Sequence, residues 1–190
     1  MDRFFAILLA LGLAGGVWAV EEPAEGPCDR SYVGVAGGLL LPGNGNSLHR
    51  AASVAARAGW YWTEALALEA EVASVPHAAS GEGGTPVMAF SARALFHLSG
   101  WETFDKLFGC ERFDPFVTTG VQSSFASRHV FADGSHRTGI GPMVGVGTFY
   151  HLSDAWSLRF DAMAALDVDS PCGMRYGVAL GLQRSFGDGE

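Results

Sequence analysis

From Ser31 onward, apolar residues alternate with polar or small ones at a period of two. The alternation comes in eight blocks: Ser31–Leu41, Ala51–Tyr61, Ala65–Ala73, Val87–Leu98, Phe116–Ala126, Thr138–Tyr150, Trp156–Leu166 and Met174–Phe186. Successive side chains of an extended chain point to opposite faces, so this period predicts strands. The separators are rich in turn residues, as in Pro42-Gly43-Asn44-Gly45-Asn46-Ser47 and Ser80-Gly81-Glu82-Gly83-Gly84-Thr85. No block holds sustained helical spacing, and only 101–108 leaves room for a short helical turn. Eight strands with tight connections predict an all-β, eight-stranded antiparallel up-and-down barrel.

The residue types on each face decide which solvent the barrel meets. One face carries Ala52, Val54, Ala56, Ala58 and Trp60, then Leu66, Leu68, Ala70 and Val72, then Met88, Phe90, Ala92, Ala94 and Phe96. Trp156, Leu158, Phe160, Leu166, Met174, Tyr176, Val178, Leu180 and Leu182 continue it. Arg57, Glu69, Glu71, Arg93, Arg159, Asp161 and Arg175 fall on the opposite face. A soluble barrel turns its apolar face inward, whereas a membrane barrel turns it toward lipid. The polar face is also small, with Gly139, Gly141, Gly145, Gly147, Gly177, Ala179 and Gly181. Water does not require small residues, but the interior of a narrow eight-stranded barrel does. The alternation therefore predicts a transmembrane barrel.

Composition agrees. Charged residues make up 17% of the chain, against about 25% in an average soluble domain. Glycine accounts for 26 of the 190 residues, and Lys106 is the sole lysine. A formal charge of −8 without a basic run argues against nucleic acid as a partner.

The first residues form a separate unit. Asp2-Arg3 precedes an apolar run from Phe4 to Val17, and Val17-Trp18-Ala19 fits a small-residue cleavage site. The run is shorter than a membrane-spanning helix and ends at the Pro-rich acidic stretch Glu21–Pro27. The expected organisation is a signal peptide over 1–19, a periplasmic lead over 20–30, the barrel over 31–186 and a short tail over 187–190. With the start of the barrel on the inner side of the membrane, one rim gathers Tyr32, Trp60, Trp62, Phe96, Phe116, Tyr150, Trp156 and Phe186. They are expected to form an aromatic girdle at headgroup level. Phe125 and Tyr176 mark the other rim less strongly.

The chain resembles the small eight-stranded outer-membrane barrels of Gram-negative bacteria, the group of OmpA and OmpX. The residues that carry the likeness are Ser31-Tyr32-Val33-Gly34-Val35-Ala36-Gly37-Gly38, Asp114-Pro115-Phe116-Val117 and the turn Tyr150-His151-Leu152-Ser153-Asp154-Ala155-Trp156. The resemblance implies residence in the outer membrane, contact with its lipids and with the assembly machinery, and a role in envelope integrity or surface interaction. Such barrels commonly end on an aromatic residue, whereas here Phe186 is followed by Gly187-Asp188-Gly189-Glu190.

Several constellations bear chemistry. The lumen charges are expected to pair into a plug, since buried charges persist when paired. Face parity lets Arg57 sit opposite Glu69, Arg93 approach Glu69 or Glu71, and Asp161 approach Arg175. The alternative is a narrow pore or a small-ligand-binding barrel, in the membrane or lipocalin-like in water. His49, His77, His129 and His136, with Glu82, Asp133, Asp167 and Asp169, lie in or beside the outer connections without metal-ligand spacing, so neither a metal nor another cofactor is expected. His151-Leu152-Ser153 places a base near a hydroxyl, as in lipid A-modifying enzymes of similar build, yet its turn belongs to the inner rim, away from outer-leaflet lipid. An enzyme is therefore not expected. Of the three cysteines, Cys28 and Cys110 share the inner side and form the candidate disulfide. Cys172 lies across the membrane from both. Nothing in the sequence sets the oligomeric state, and a monomer is favoured.

Overall fold

The computed structural model describes residues 30–42, 50–76, 87–98, 112–126, 137–167 and 173–187. Eight strands run in chain order: β1 (Ser31–Pro42), β2 (Ala51–Thr63), β3 (Leu66–Val75), β4 (Val87–His97), β5 (Phe113–Ala126), β6 (Arg137–His151), β7 (Trp156–Asp167) and β8 (Gly173–Phe186). Each pairs antiparallel with its sequence neighbours, and β1 pairs with β8 from Ser31↔Phe186 to Pro42↔Arg175. The sheet is thus a closed up-and-down barrel with no free edge. The expected strand limits hold to within about three residues; the largest difference is β5, which begins at Phe113 rather than Phe116.

Among the described residues no helix is long and apolar enough to cross a membrane. The signal peptide, the cysteines Cys28, Cys110 and Cys172, and the histidines His49, His77, His129 and His136 lie outside the described residues.

The apolar face points outward. Val35 is 63% exposed, Leu180 60% and Ile140 58%, while Arg57, Glu69, Glu71, Arg93, Arg159, Asp161 and Arg175 are buried within the barrel. Among the described residues the separation of charge by face has one exception. Arg184 shares the parity of Leu180 and Leu182 and is exposed on the outer surface. Its guanidinium lies 5.7 Å from the Trp156 ring and 5.2 Å from the Phe186 ring. A long cationic side chain beside rim aromatics keeps its charge near water while its stem covers apolar surface.

The rim that carries both ends of the barrel, called here the terminal rim, differs from the expected girdle at two positions. Tyr32 and Phe116 are each 1% exposed and point inward. A place near a strand end gives the depth of an aromatic residue but not its face. Parity gives the face: Tyr32 shares it with Gly34, Ala36 and Gly38, and Phe116 shares it with Thr118 and Gly120. Trp60, Trp62, Phe96, Tyr150, Trp156 and Phe186 stand on the outer face. Two glycines make room for the inward rings. A Cβ on Gly59 would run into the Tyr32 ring, and one on Gly147 into Phe116.

Candidate functional site in the barrel interior

Inward-facing side chains form three layers. Nearest the terminal rim, Tyr32, Tyr61, Ala67, Leu95, Phe116 and Phe149 pack into one buried cluster. Tyr32 meets Tyr61 edge-on at 5.7 Å, and Phe116 lies 4.9 Å from Phe149. His97 stacks on Phe149 at 5.6 Å, and its Nδ1 lies 2.6 Å from Asp114 Oδ2. Offset and edge-on rings pack favourably, adding about 0.5–1.5 kcal/mol per pair beyond the area they bury. Phe149 and Asp114 carry no weight in the charge-and-girdle reading of the sequence. The signal for Phe149 was its shared parity with Gly145 and Gly147, and for Asp114 the earlier start of β5.

The middle layer is a ring of alternating charges. Arg57 bridges Glu71 at 2.5 Å and Asp161 at 2.5 Å. Arg93 bridges Glu69 at 2.5 Å and Glu71 at 2.7 Å. Arg159 bridges Glu69 and Asp161, the latter at 2.9 Å. Each arginine therefore touches two carboxylates and each carboxylate two arginines, so the six groups close a circuit balanced three against three. All six are at least nine-tenths buried. The links from Arg57 to Asp161 and from Arg159 to Glu69 join β7 to β2 and β3 across the lumen. Tyr32 adds a donated hydrogen bond of 2.7 Å to Glu69 Oε2. The Arg159 guanidinium also rests 4.8 Å from the Phe116 ring and 5.1 Å from Phe149. The planar guanidinium fork suits such double engagement.

Two of the pairings inferred from parity differ in detail. Arg57 stands opposite Glu71 in the β2–β3 register, not Glu69, which stands opposite Gly59. The expected pairing follows from a turn between Tyr61 and Ala65, whereas β2 runs on to Thr63, which pairs with Leu66, and a bulge between Tyr61 and Thr63 takes back one residue of that shift. Asp161 binds Arg57 and Arg159 rather than Arg175, because Asp161 lies opposite Ala179 and Arg175 opposite Ala165, four residues apart along β8.

The third layer, toward the far rim, mixes small and apolar residues (Leu40, Ala55, Ala73, Val75, Val87, Ala89, Met143 and Met163) with Ser53, Gln122 and Arg175. Arg175 is buried here as well.

Of the remaining candidates, His151 and Ser153 lie among the described residues, and they do not pair. His151 Nδ1 bonds Ser157 Oγ at 2.9 Å, while Ser153 Oγ accepts the backbone N–H of Trp156 at 3.2 Å within an exposed turn. The expected His151–Ser153 neighbourhood is thus a capped β6–β7 turn. Among the described residues no three His, Cys, Asp or Glu side chains lie close enough to hold a metal ion.

No family model matches the chain, and no curated protein matches it. Solved structures do. The N-terminal β-barrel domain of Pseudomonas aeruginosa OprF aligns with a TM-score of 0.63 at 12% identity, covering 84% of this chain and 99% of that one. Neisserial surface protein A aligns at 0.60 and 15% identity, covering 83% and 96%. Ail, the attachment invasion locus protein of Yersinia pestis, aligns at 0.52 and 13% identity, covering 84% and 99%. The chain has the fold of the small eight-stranded barrels of the Gram-negative outer membrane.

Proposed function

We propose that the protein is an exported outer-membrane barrel whose lumen is plugged, with a structural or surface-interaction role and no catalysis. The observation that carries this reading is the closed ring of Arg57, Glu71, Arg93, Glu69, Arg159 and Asp161, which ties opposite walls of the barrel together. Eight strands leave an interior just wide enough for side chains. The ring and the aromatic layer beneath it occupy that width, so ions have no continuous wet path. The outward apolar surface favours lipid as its solvent. In this reading 1–19 is removed on export, the terminal rim faces the periplasm, and the partners are outer-membrane lipids and the assembly machinery.

The test is electrical. The unmutated protein in planar bilayers is expected to give no steady conductance. Arg93→Ala is expected to destabilise the barrel by roughly 3–5 kcal/mol, as breaking a buried pair does, still without a stable pore. Large, long-lived channels from the unmutated protein would overturn the plug.

A further inference from the structure

Arg184 puts a cation on the apolar outer face, at the terminal rim. It stands opposite Trp156 of β7 and Val33 of β1. Its guanidinium lies 5.7 Å from the Trp156 ring and 5.2 Å from the Phe186 ring. Among the described residues it forms no ion pair, including with the exposed Asp154 of the adjoining β6–β7 turn. Rim aromatics mark the depth of lipid headgroups. A guanidinium held there with unused N–H donors matches the planar, bidentate recognition of a phosphate.

From Arg184 the outer face descends into the apolar part of the barrel wall. Leu182 stands between Leu158 and Val35, and Leu180 between Phe160 and Gly37. Gly37 interrupts this bulky surface. Its outward neighbours Val35, Leu39, Val54 and Leu180 are each more than half exposed and stand proud around it. A Cβ on Gly37 would meet nothing within 4 Å, whereas one on Gly38, Gly120, Gly145 or Gly181 would run into a backbone oxygen. Barrel packing therefore does not require glycine at 37. Glycine weakens a strand interior and often marks a place where a ligand approaches closely. The notch opens into an outer groove lined by Val35, Val54, Leu158, Leu180 and Leu182. Val33, opposite Arg184, lies four residues from Gly37, about 14 Å at the rise of a strand. That span fits within the ~15 Å half-thickness of a bilayer's hydrocarbon core.

On the reading that lipid bathes the outer face and the terminal rim faces the periplasm, we infer that the β7–β8–β1 face binds one anionic phospholipid of the periplasmic leaflet. Its phosphate accepts from the Arg184 guanidinium, beside Trp156 and Phe186. One acyl chain passes Leu182 and Val35 and fills the Gly37 notch. A zwitterionic lipid offers the same phosphate but brings its ammonium close to the guanidinium, so the site favours a headgroup without a cation.

The test is native mass spectrometry of the refolded chain released from detergent, titrated with phosphatidylglycerol or with phosphatidylcholine of identical acyl chains. The expected result is one saturable adduct, held about tenfold more tightly with phosphatidylglycerol, the worth of a charge-assisted hydrogen bond. Arg184→Gln is expected to abolish that preference, and Arg184→Lys to keep most of it. Gly37→Leu, which fills the notch, is expected to weaken both lipids several-fold without changing their ratio; if it fails to fold, Gly37→Val serves in its place. Ala92→Leu, on the outer face of β4, is expected to change neither lipid. Heat-dependent gel migration checks the fold of every variant. A heat-shifting barrel that takes up lipid without saturation, binds both headgroups equally, keeps its preference after Arg184→Gln or ignores Gly37→Leu would overturn the site and leave the membrane reading standing. A water-soluble native state with no heat shift would overturn both.

Discussion

Glu69 joins three partners in the interior. It takes Arg93 and Arg159 as ion-pair partners and the Tyr32 hydroxyl as a hydrogen-bond donor, with its side chain fully buried. Replacing it with glutamine keeps the volume but leaves two buried guanidiniums short of a carboxylate. Glu69→Gln is expected to lower unfolding stability by about 3–5 kcal/mol, read as a lower urea midpoint in refolded detergent samples. Loss below about 1 kcal/mol would mean that the ring is not a structural unit. At this scale the sequence was informative about type and face but not about partner. Parity sends Arg57, Glu69, Glu71, Arg93, Arg159 and Asp161 inward. The Arg57–Asp161 contact joins residues 104 apart in sequence, and no local pattern encodes that.

At the scale of the element, each strand separates two solvents. β8 shows this most sharply: Leu180 is 60% exposed while its neighbour Gly181 is buried. Leu180 stands mid-strand opposite Gly37 and Phe160, so a charge there would face the centre of a bilayer. Leu180→Arg is expected to cost about 2–4 kcal/mol in a lipid-refolded barrel. A water-soluble barrel with the same face exposed would tolerate the change. Equal stability of the variant and the unmutated protein in lipid would remove lipid as the outer solvent. Arg184, on the same face of β8, marks where that solvent ends, since it lies against Trp156 and Phe186 at the rim. Strand limits were legible because turn residues punctuate the chain. The inward turn of Tyr32 and Phe116 is encoded in their parity, which outweighs the tendency of aromatics to collect at strand ends.

At the scale of the molecule, closure between β1 and β8 joins the layers into one cooperative object. The aromatic layer, the charge ring and the far-rim layer each draw residues from several strands, so none can form before the walls meet. Such a barrel is expected to resist unfolding in detergent at room temperature and to give way on boiling. Heat-dependent migration on a gel checks this; a native state soluble in water without detergent, and no shift on heating, would count against a membrane barrel.

The sequence by itself determined the eight strands, their antiparallel order and the face on which each side chain stands. Those properties depend on a period of two and on turn residues, both local to the chain. The tertiary structure decided the rest: which carboxylate meets which arginine, and that two rim aromatics line the lumen. These depend on the register between strands and on depth along the barrel axis. One bulge shifts a register by a residue, and only a closed barrel brings β7 across the lumen from β2 and β3.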